Sequence, residues 1–141
     1  MGFLGKKDLL QRQKLEIIKV DLGNDDYVFV REMTGRERDQ FEQSLIKEKR
    51  NNKGEVTGYD RNLYDFRAKL AVNTLCDENG NAILTMADFE TLSQNMGAKR
   101  IEKIVTEAQK LNKISEADKE DLIKNSEADQ KEDSTSGSAE N

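Results

Sequence analysis

"KLEIIKVDLGNDDYVFVR", residues 14–31, decides how the fold begins. Two runs of β-branched and aromatic residues, 14–22 and 27–31, flank "GNDD", a set that accepts positive φ, so the stretch predicts a β-hairpin over 14–31. Leu15, Ile17 and Val20 set against Tyr27 and Phe29 do not alternate cleanly, which leaves the register open.

Downstream of the hairpin the period changes from two to nearly four. In "MTGRERDQFEQSLIKEK" (33–49), Thr34 followed three residues later by Glu37 forms a capping box, and Phe41 and Leu45, with Ile46 beside them, give the helix an apolar stripe. The basic run "KEKRNNK" (47–53) reads as the end of that helix, where cations oppose the macrodipole. The polar stretch "RNNKGEVTG" (50–58) then reads as a mobile loop. A second helix is expected from Asp60 through "DRNLYDFRAKLAVNTL", with Leu63, Phe66 and Leu70 on its inner face. A third runs from the Thr85/Asp88 cap through Phe89 and Leu92 to about Asn95, with Gly97 as its stop. A fourth, "AKRIEKIVTEAQKLN" (98–112), carries Ile101, Ile104, Val105, Ala108 and Leu111 at helical spacing. Ser115 with Asp118 opens a short last helix to about residue 125. Beyond it a second "SEAD" leads into an acidic tail without large apolar residues, which is expected to be disordered.

The expected architecture is α+β: an N-terminal β-hairpin followed by a small bundle of four to five helices and a disordered acidic C-terminal tail. Residues 1–13 form an extension, 14–125 a single mainly helical domain, and 126–141 the tail.

Composition narrows the function. The chain has 141 residues, a formal net charge of -5 and a pI near 5.0, so it lacks the dominant positive field of a nucleic-acid binder. It contains no histidine, which removes Ser-His and Cys-His nucleophile pairs and most zinc sites. The single cysteine, Cys76, permits no internal disulfide, fits a reducing compartment and follows an apolar pattern that predicts burial. "MGFLGKKDLLQRQ" has no apolar stretch of signal or membrane length, and Lys6 stands where a myristoylation motif needs Ser or Thr. A soluble, intracellular protein is expected, with no cofactor and no membrane partner. The acidic pairs, such as Asp25–Asp26, fall in turns or on solvated helix faces, so catalysis is not expected.

One stretch imitates a metal site. In "CDENGNAILTMADF" (76–89), Asp77, Asn79, Asn81, Thr85 and Asp88 occupy positions one, three, five, nine and twelve of a calcium-binding loop. Position six, however, is Ala82 where such a loop turns on glycine, and position twelve is Asp88 where it needs a bidentate Glu. The competing reading is a tight turn at Asn79–Gly80 that lets Asp77 end one helix, returns Ile83 and Leu84 to the core, and leaves Thr85 to cap the next. That turn reading is preferred, with a calcium-responsive helix-loop-helix at 77–88 as the alternative.

Three segments together, "VREMTGRERDQFEQSL" (30–45), "RAKLAVNTLCDENGNAILTMADFETL" (67–92) and "IEKIVTEAQKLNKISEADKEDLIKN" (101–125), resemble the tail assembly chaperones of long-tailed bacteriophages and prophages. The resemblance covers roughly residues 14–125. It rests on a strand running into a capped helix, a "CDENG" turn after an apolar helix, and an "A-x-x-LN" helix ending before a short acidic helix.

The resemblance implies a non-enzymatic protein of the host bacterial cytoplasm, absent from the mature virion. It would bind the tape measure protein, keep it soluble and give way as the tail tube polymerises. A longer frameshifted form would recruit the tail tube protein, and the chain would be a homo-oligomer alone or on its partner. Read as helix-in-groove anchors, Phe41, Leu45, Ile101, Ile104 and Val105 are the candidate partner-binding residues, although core packing uses the same stripes. A small phage regulator acting on a host protein is the remaining alternative.

Overall fold

The computed structural model describes residues 2–114. The helix expected at 115–125 and the tail expected from 126 lie outside the described residues. The hairpin forms as read: β1 (Ile17–Gly23) and β2 (Asp26–Arg31) pair antiparallel across Asn24 and Asp25, both at positive φ (54° and 66°). Two successive left-handed residues match the right-handed twist of the strands they join. The register sets Ile18 opposite Val30 and Val20 opposite Val28. A third strand, β5 (Leu75–Cys76), adds to the far side of β2, giving the order β1-β2-β5.

This sheet explains the imperfect alternation. Its inner face carries Val20, Leu22, Val30 and Leu75 into the core. Its outer face also carries apolar residues, Ile17, Tyr27 and Phe29. Ile17 is covered by the 77–81 turn, where Gly80 (φ 87°) lies so close that a Cβ there would stand 3.1 Å from Ile17 Cδ1. With both faces partly covered, the pattern is no longer a simple one of period two.

Helix α2 (Gly35–Gln43) starts on the expected capping box: the Glu37 amide donates to Thr34 Oγ1 at 3.2 Å and the Thr34 amide to Glu37 Oε1 at 2.9 Å. It ends earlier than read. Residues expected to continue the helix form β3 (Ile46–Arg50), and the expected loop at 50–58 is the tip and first part of β4 (Val56–Arg61). The two strands pair only with each other among the described residues. Asn51 Oδ1 builds the tip by accepting from the Lys53 and Glu55 amides, with Gly54 at φ 81°. Because β4 takes residues 60 and 61, α3 (Phe66–Thr74) begins six residues later than expected. It is nevertheless the most buried helix, enclosed over all of its length except Arg67.

After β5, a 3-10 turn (Met86–Asp88) capped by Thr85 leads into α4 (Phe89–Asn95). The fourth predicted helix is α5 (Ala98–Leu111), preceded by Gly97. Its Ile101, Ile104, Val105 and Ala108, spaced three and four apart, pack across the inner face of the sheet and against α3. A short helix that the sequence did not predict, α1 (Lys6–Leu10), lies in the N-terminal extension and buries none of its residues.

The end of α5 is fastened to the start of α2. The buried Asn112 side chain accepts from the Met33 amide through Oδ1 at 2.7 Å, and its Nδ2 donates to the carbonyls of Ala108 (2.9 Å) and Arg31 (3.5 Å). Its own carbonyl accepts from Arg38 Nη1 at 2.9 Å. Beside it, the buried Arg31 makes a two-pronged ion pair with the capping residue, Nη1 to Glu37 Oε1 at 2.8 Å and Nη2 to Oε2 at 2.6 Å. Replacing Asn112 by Ala strands the Met33 amide without a partner, so Asn112→Ala should cost about 2–3 kcal/mol in urea unfolding. A loss under about 0.5 kcal/mol would show that the clasp contributes nothing.

Candidate functional site

The five residues nominated as anchors are all in the core: Phe41 and Leu45 are 2% exposed, Ile101 5%, and Ile104 and Val105 0%. Phe41 meets Phe66 edge-on at 5.5 Å, and the three α5 residues lie between sheet and α3. Burying each large aliphatic residue is worth roughly 1.5–3 kcal/mol. Withdrawing the α5 residues would therefore cost an amount comparable to the whole stability of a small domain. In this conformation they are core residues, and their helical spacing reports which face is buried, not what buries it.

Apolar surface lies elsewhere. Phe3 (96% exposed), Leu4, Leu9 and Leu10 project from the N-terminal extension. Asp8 folds back to accept from the Gly5 amide at 3.1 Å and starts the one-turn helix that carries Leu9 and Leu10. Lys6, Lys7, Arg12 and Lys14 make the same segment basic. Sequence reasoning set this region aside as an extension, although its "GFL" and "DLL" clusters were the available signal.

At the candidate calcium loop the oxygens are directed at the backbone. Asp77 Oδ1 accepts from the amides of Asn79 (2.8 Å) and Asn81 (2.9 Å), and the Asp77 amide donates to the Asn81 carbonyl at 2.8 Å. These bonds, led by the one from the Asn81 amide, hold the Asp77 carboxyl below its ordinary value against a weaker desolvation. Asp88 Oδ2 accepts from the Thr85 amide at 2.8 Å, completing the cap that Thr85 Oγ1 makes to Ala87. Among the described residues, no three acidic or cysteine side chains are grouped to hold a metal. Leu84 does return to the core, but Ile83 remains 54% exposed and is a correction to the turn reading.

Three further groups are tuned by burial and pairing. Burial pushes Glu37 up, but the Arg31 guanidinium and the Thr34 amide and hydroxyl together hold it below the usual carboxylate range. Its hydrogen bond raises Arg31 in turn. The Cys76 thiol is buried and pushed up by that burial despite the nearby Arg31 charge, the state of an inert packing residue. No helix among the described residues is long and apolar enough to cross a membrane.

A protein-family model described as "phage tail assembly chaperone" matches residues 8–133. No curated protein and no solved structure matches the chain.

A backbone role for Asp77 has a pH signature. A carboxyl whose folded value lies below its unfolded one contributes stability above the unfolded value, about 4, and loses it as pH falls through the folded value. Thermal melts of Asp77→Ala should therefore fall below the parent at pH 7, with the gap closing in acid. Millimolar calcium should leave the parent's melting temperature unchanged; a rise that Asp77→Ala abolishes would establish the metal reading instead.

Proposed function

The chain belongs to the phage tail assembly chaperone family, and on that premise we propose that it is a non-enzymatic chaperone that binds the tape measure protein. It keeps that long helical chain soluble in the host bacterial cytoplasm and is released as the tail tube polymerises, leaving none in the mature virion. A longer frameshifted form would carry the contact to the tail tube protein.

The observation that carries the binding part of this reading is the N-terminal segment. Four large apolar side chains, Phe3, Leu4, Leu9 and Leu10, are each exposed within one short stretch of chain whose helix buries nothing. A folded domain leaves such a cluster in water at a cost, and exposed apolar clusters rimmed by charge mark places where another polypeptide binds. Amphipathic helices offer the matching apolar stripe, and the basic residues around the cluster favour a partner with acidic flanks. The core stays closed in this mode, so the chaperone does not unfold to hold its client.

Co-expression with the tape measure protein of the same phage tests the proposal. The full chain should raise the soluble yield of that protein severalfold and co-purify with it. The variant Phe3→Ser/Leu4→Ser/Leu9→Ser/Leu10→Ser should retain its circular dichroism and melting transition while losing most of that effect. Equal rescue by the variant would overturn the assignment of the binding segment, and no rescue by the parent would overturn the function.

A further inference from the structure

The N-terminal segment enters the domain at the corner where α5 ends. The Glu32 amide donates to the carbonyl of Glu16, the last residue before β1, at 3.0 Å, and the next amide, that of Met33, is the one held by Asn112 Oδ1 at 2.7 Å. Stepping across those bonds puts the Cα atoms of Glu16 and Asn112 within about 17 Å of each other. Residues 115–141, which follow Ile114, therefore leave the domain beside the point where residues 2–14 enter it.

The two segments are opposite in charge. Residues 2–14 carry Lys6, Lys7, Arg12 and Lys14 against one carboxylate, Asp8, and all five are exposed. None of the four cations makes an ion pair among the described residues, whereas in the body of the domain Arg31 meets Glu37, Arg67 meets Glu102 and Arg100 meets Asp26. Residues 115–141 carry nine acidic and three basic side chains, while residues 1–114 carry nineteen acidic and twenty basic ones, so the net charge of -5 arises in that last stretch. Four of its nine carboxylates, on Glu116, Asp118, Glu120 and Asp121, stand just before Leu122 and Ile123, the only large apolar residues after Ile114. An acidic run ending in an apolar pair thus emerges next to a basic segment that leaves Leu9 and Leu10 in water.

A cleft of about 490 Å³ opens at the same corner, between Arg12, Lys14 and Leu15 on one side and the 78–81 turn on the other, with Glu78 the one carboxylate in its lining. Exposed ion pairs are individually weak and are screened by salt. A tether of a few residues compensates, because it holds the acidic run at an effective concentration on the order of millimolar. A contact too weak to join separate molecules at micromolar concentration is then enough to keep the segment seated.

We propose that residues 116–123 dock on residues 6–14 of the same chain, with their carboxylates toward Lys6, Lys7, Arg12 and Lys14 and with Leu122 and Ile123 against Leu9 and Leu10. The chain thereby covers its own client site until the tape measure protein displaces the segment; the displacement alone rests on the function proposed above.

Zero-length carbodiimide cross-linking of the full chain, read by mass spectrometry on an equimolar mixture of unlabelled and nitrogen-15-labelled chains, tests the docking without any client. Links from Lys6, Lys7 and Lys14 to the carboxylates of 116–121 should exceed those from the exposed Lys53 and Lys99 severalfold. They should lie within one chain and fall severalfold in about 1 M salt. The variant Leu122→Ser/Ile123→Ser keeps every carboxylate; it should retain the parent's circular dichroism and melting transition, lose most of those links, and bind the tape measure protein severalfold more tightly. Adding tape measure protein to the parent should abolish the links. Links spread evenly over the exposed lysines, links that join labelled to unlabelled chains, or a variant that cross-links like the parent would overturn the docking. Undiminished links in the parent's complex with the tape measure protein, or a variant that binds it no more tightly, would overturn the displacement. A tape measure protein that binds neither chain would overturn the function and the displacement with it, while the links in the chain alone decide the docking by themselves.

Discussion

The buried amide of Asn112 is the constraint on which the rest of the fold depends. It sits where α5 must stop, and its oxygen and nitrogen satisfy the Met33 amide and the Ala108 and Arg31 carbonyls, three backbone groups that have left water. An apolar residue there would leave the Met33 amide unpaired, and a charged one would be costly to bury. With the helix end fixed to the β2–α2 junction, the Ile101, Ile104 and Val105 stripe is held across the sheet, and α3 is enclosed behind it. The Arg31–Glu37 pair tightens the same junction from the other side, because Glu37 both caps α2 and neutralises the buried guanidinium.

Those junctions give physical meaning to the segments that carry the family resemblance. The Thr34/Glu37 cap and the "A-x-x-LN" ending meet at one corner of the domain, and the "CDENG" turn closes over Ile17 on the outer face of the sheet. Each is a joint that sets how elements meet. Membership of the tail assembly chaperone family therefore speaks for this framework. The binding proposed for this chain falls to what that framework leaves outside the core, the exposed apolar residues of the N-terminal segment.

Legibility in the sequence followed the range of each signal. The hairpin turn, both Thr caps and α5 were readable because their causes are local: positive-φ residues between strands, a hydroxyl three residues from a carboxylate, an apolar residue every three or four. The β3–β4 hairpin was not, because "IKEKR" has no apolar alternation and takes strand form through cross-strand partners, such as Asp60 for Lys49. Helix α1 was too short to show a period. The candidate anchors illustrate a deeper limit: an amphipathic stripe looks the same whether its partner is the protein's own sheet or another chain. Asn112 was legible only as the last residue of the "A-x-x-LN" ending, and its role as a clasp was not, since a polar residue after a helix is ordinary unless its burial is known.

Whether the core stays closed while a client is held is the claim on which the binding account turns. Hydrogen exchange read by mass spectrometry, on the full chain alone and in complex with the tape measure protein, addresses it directly. A closed core keeps the amides of Ile101, Ile104 and Val105 equally slow in both states while the amides around Leu4, Leu9 and Leu10 slow on binding. Faster exchange in α5 on binding, with no change in the N-terminal segment, would mean that the core opens and offers its own stripe to the client, contradicting the account.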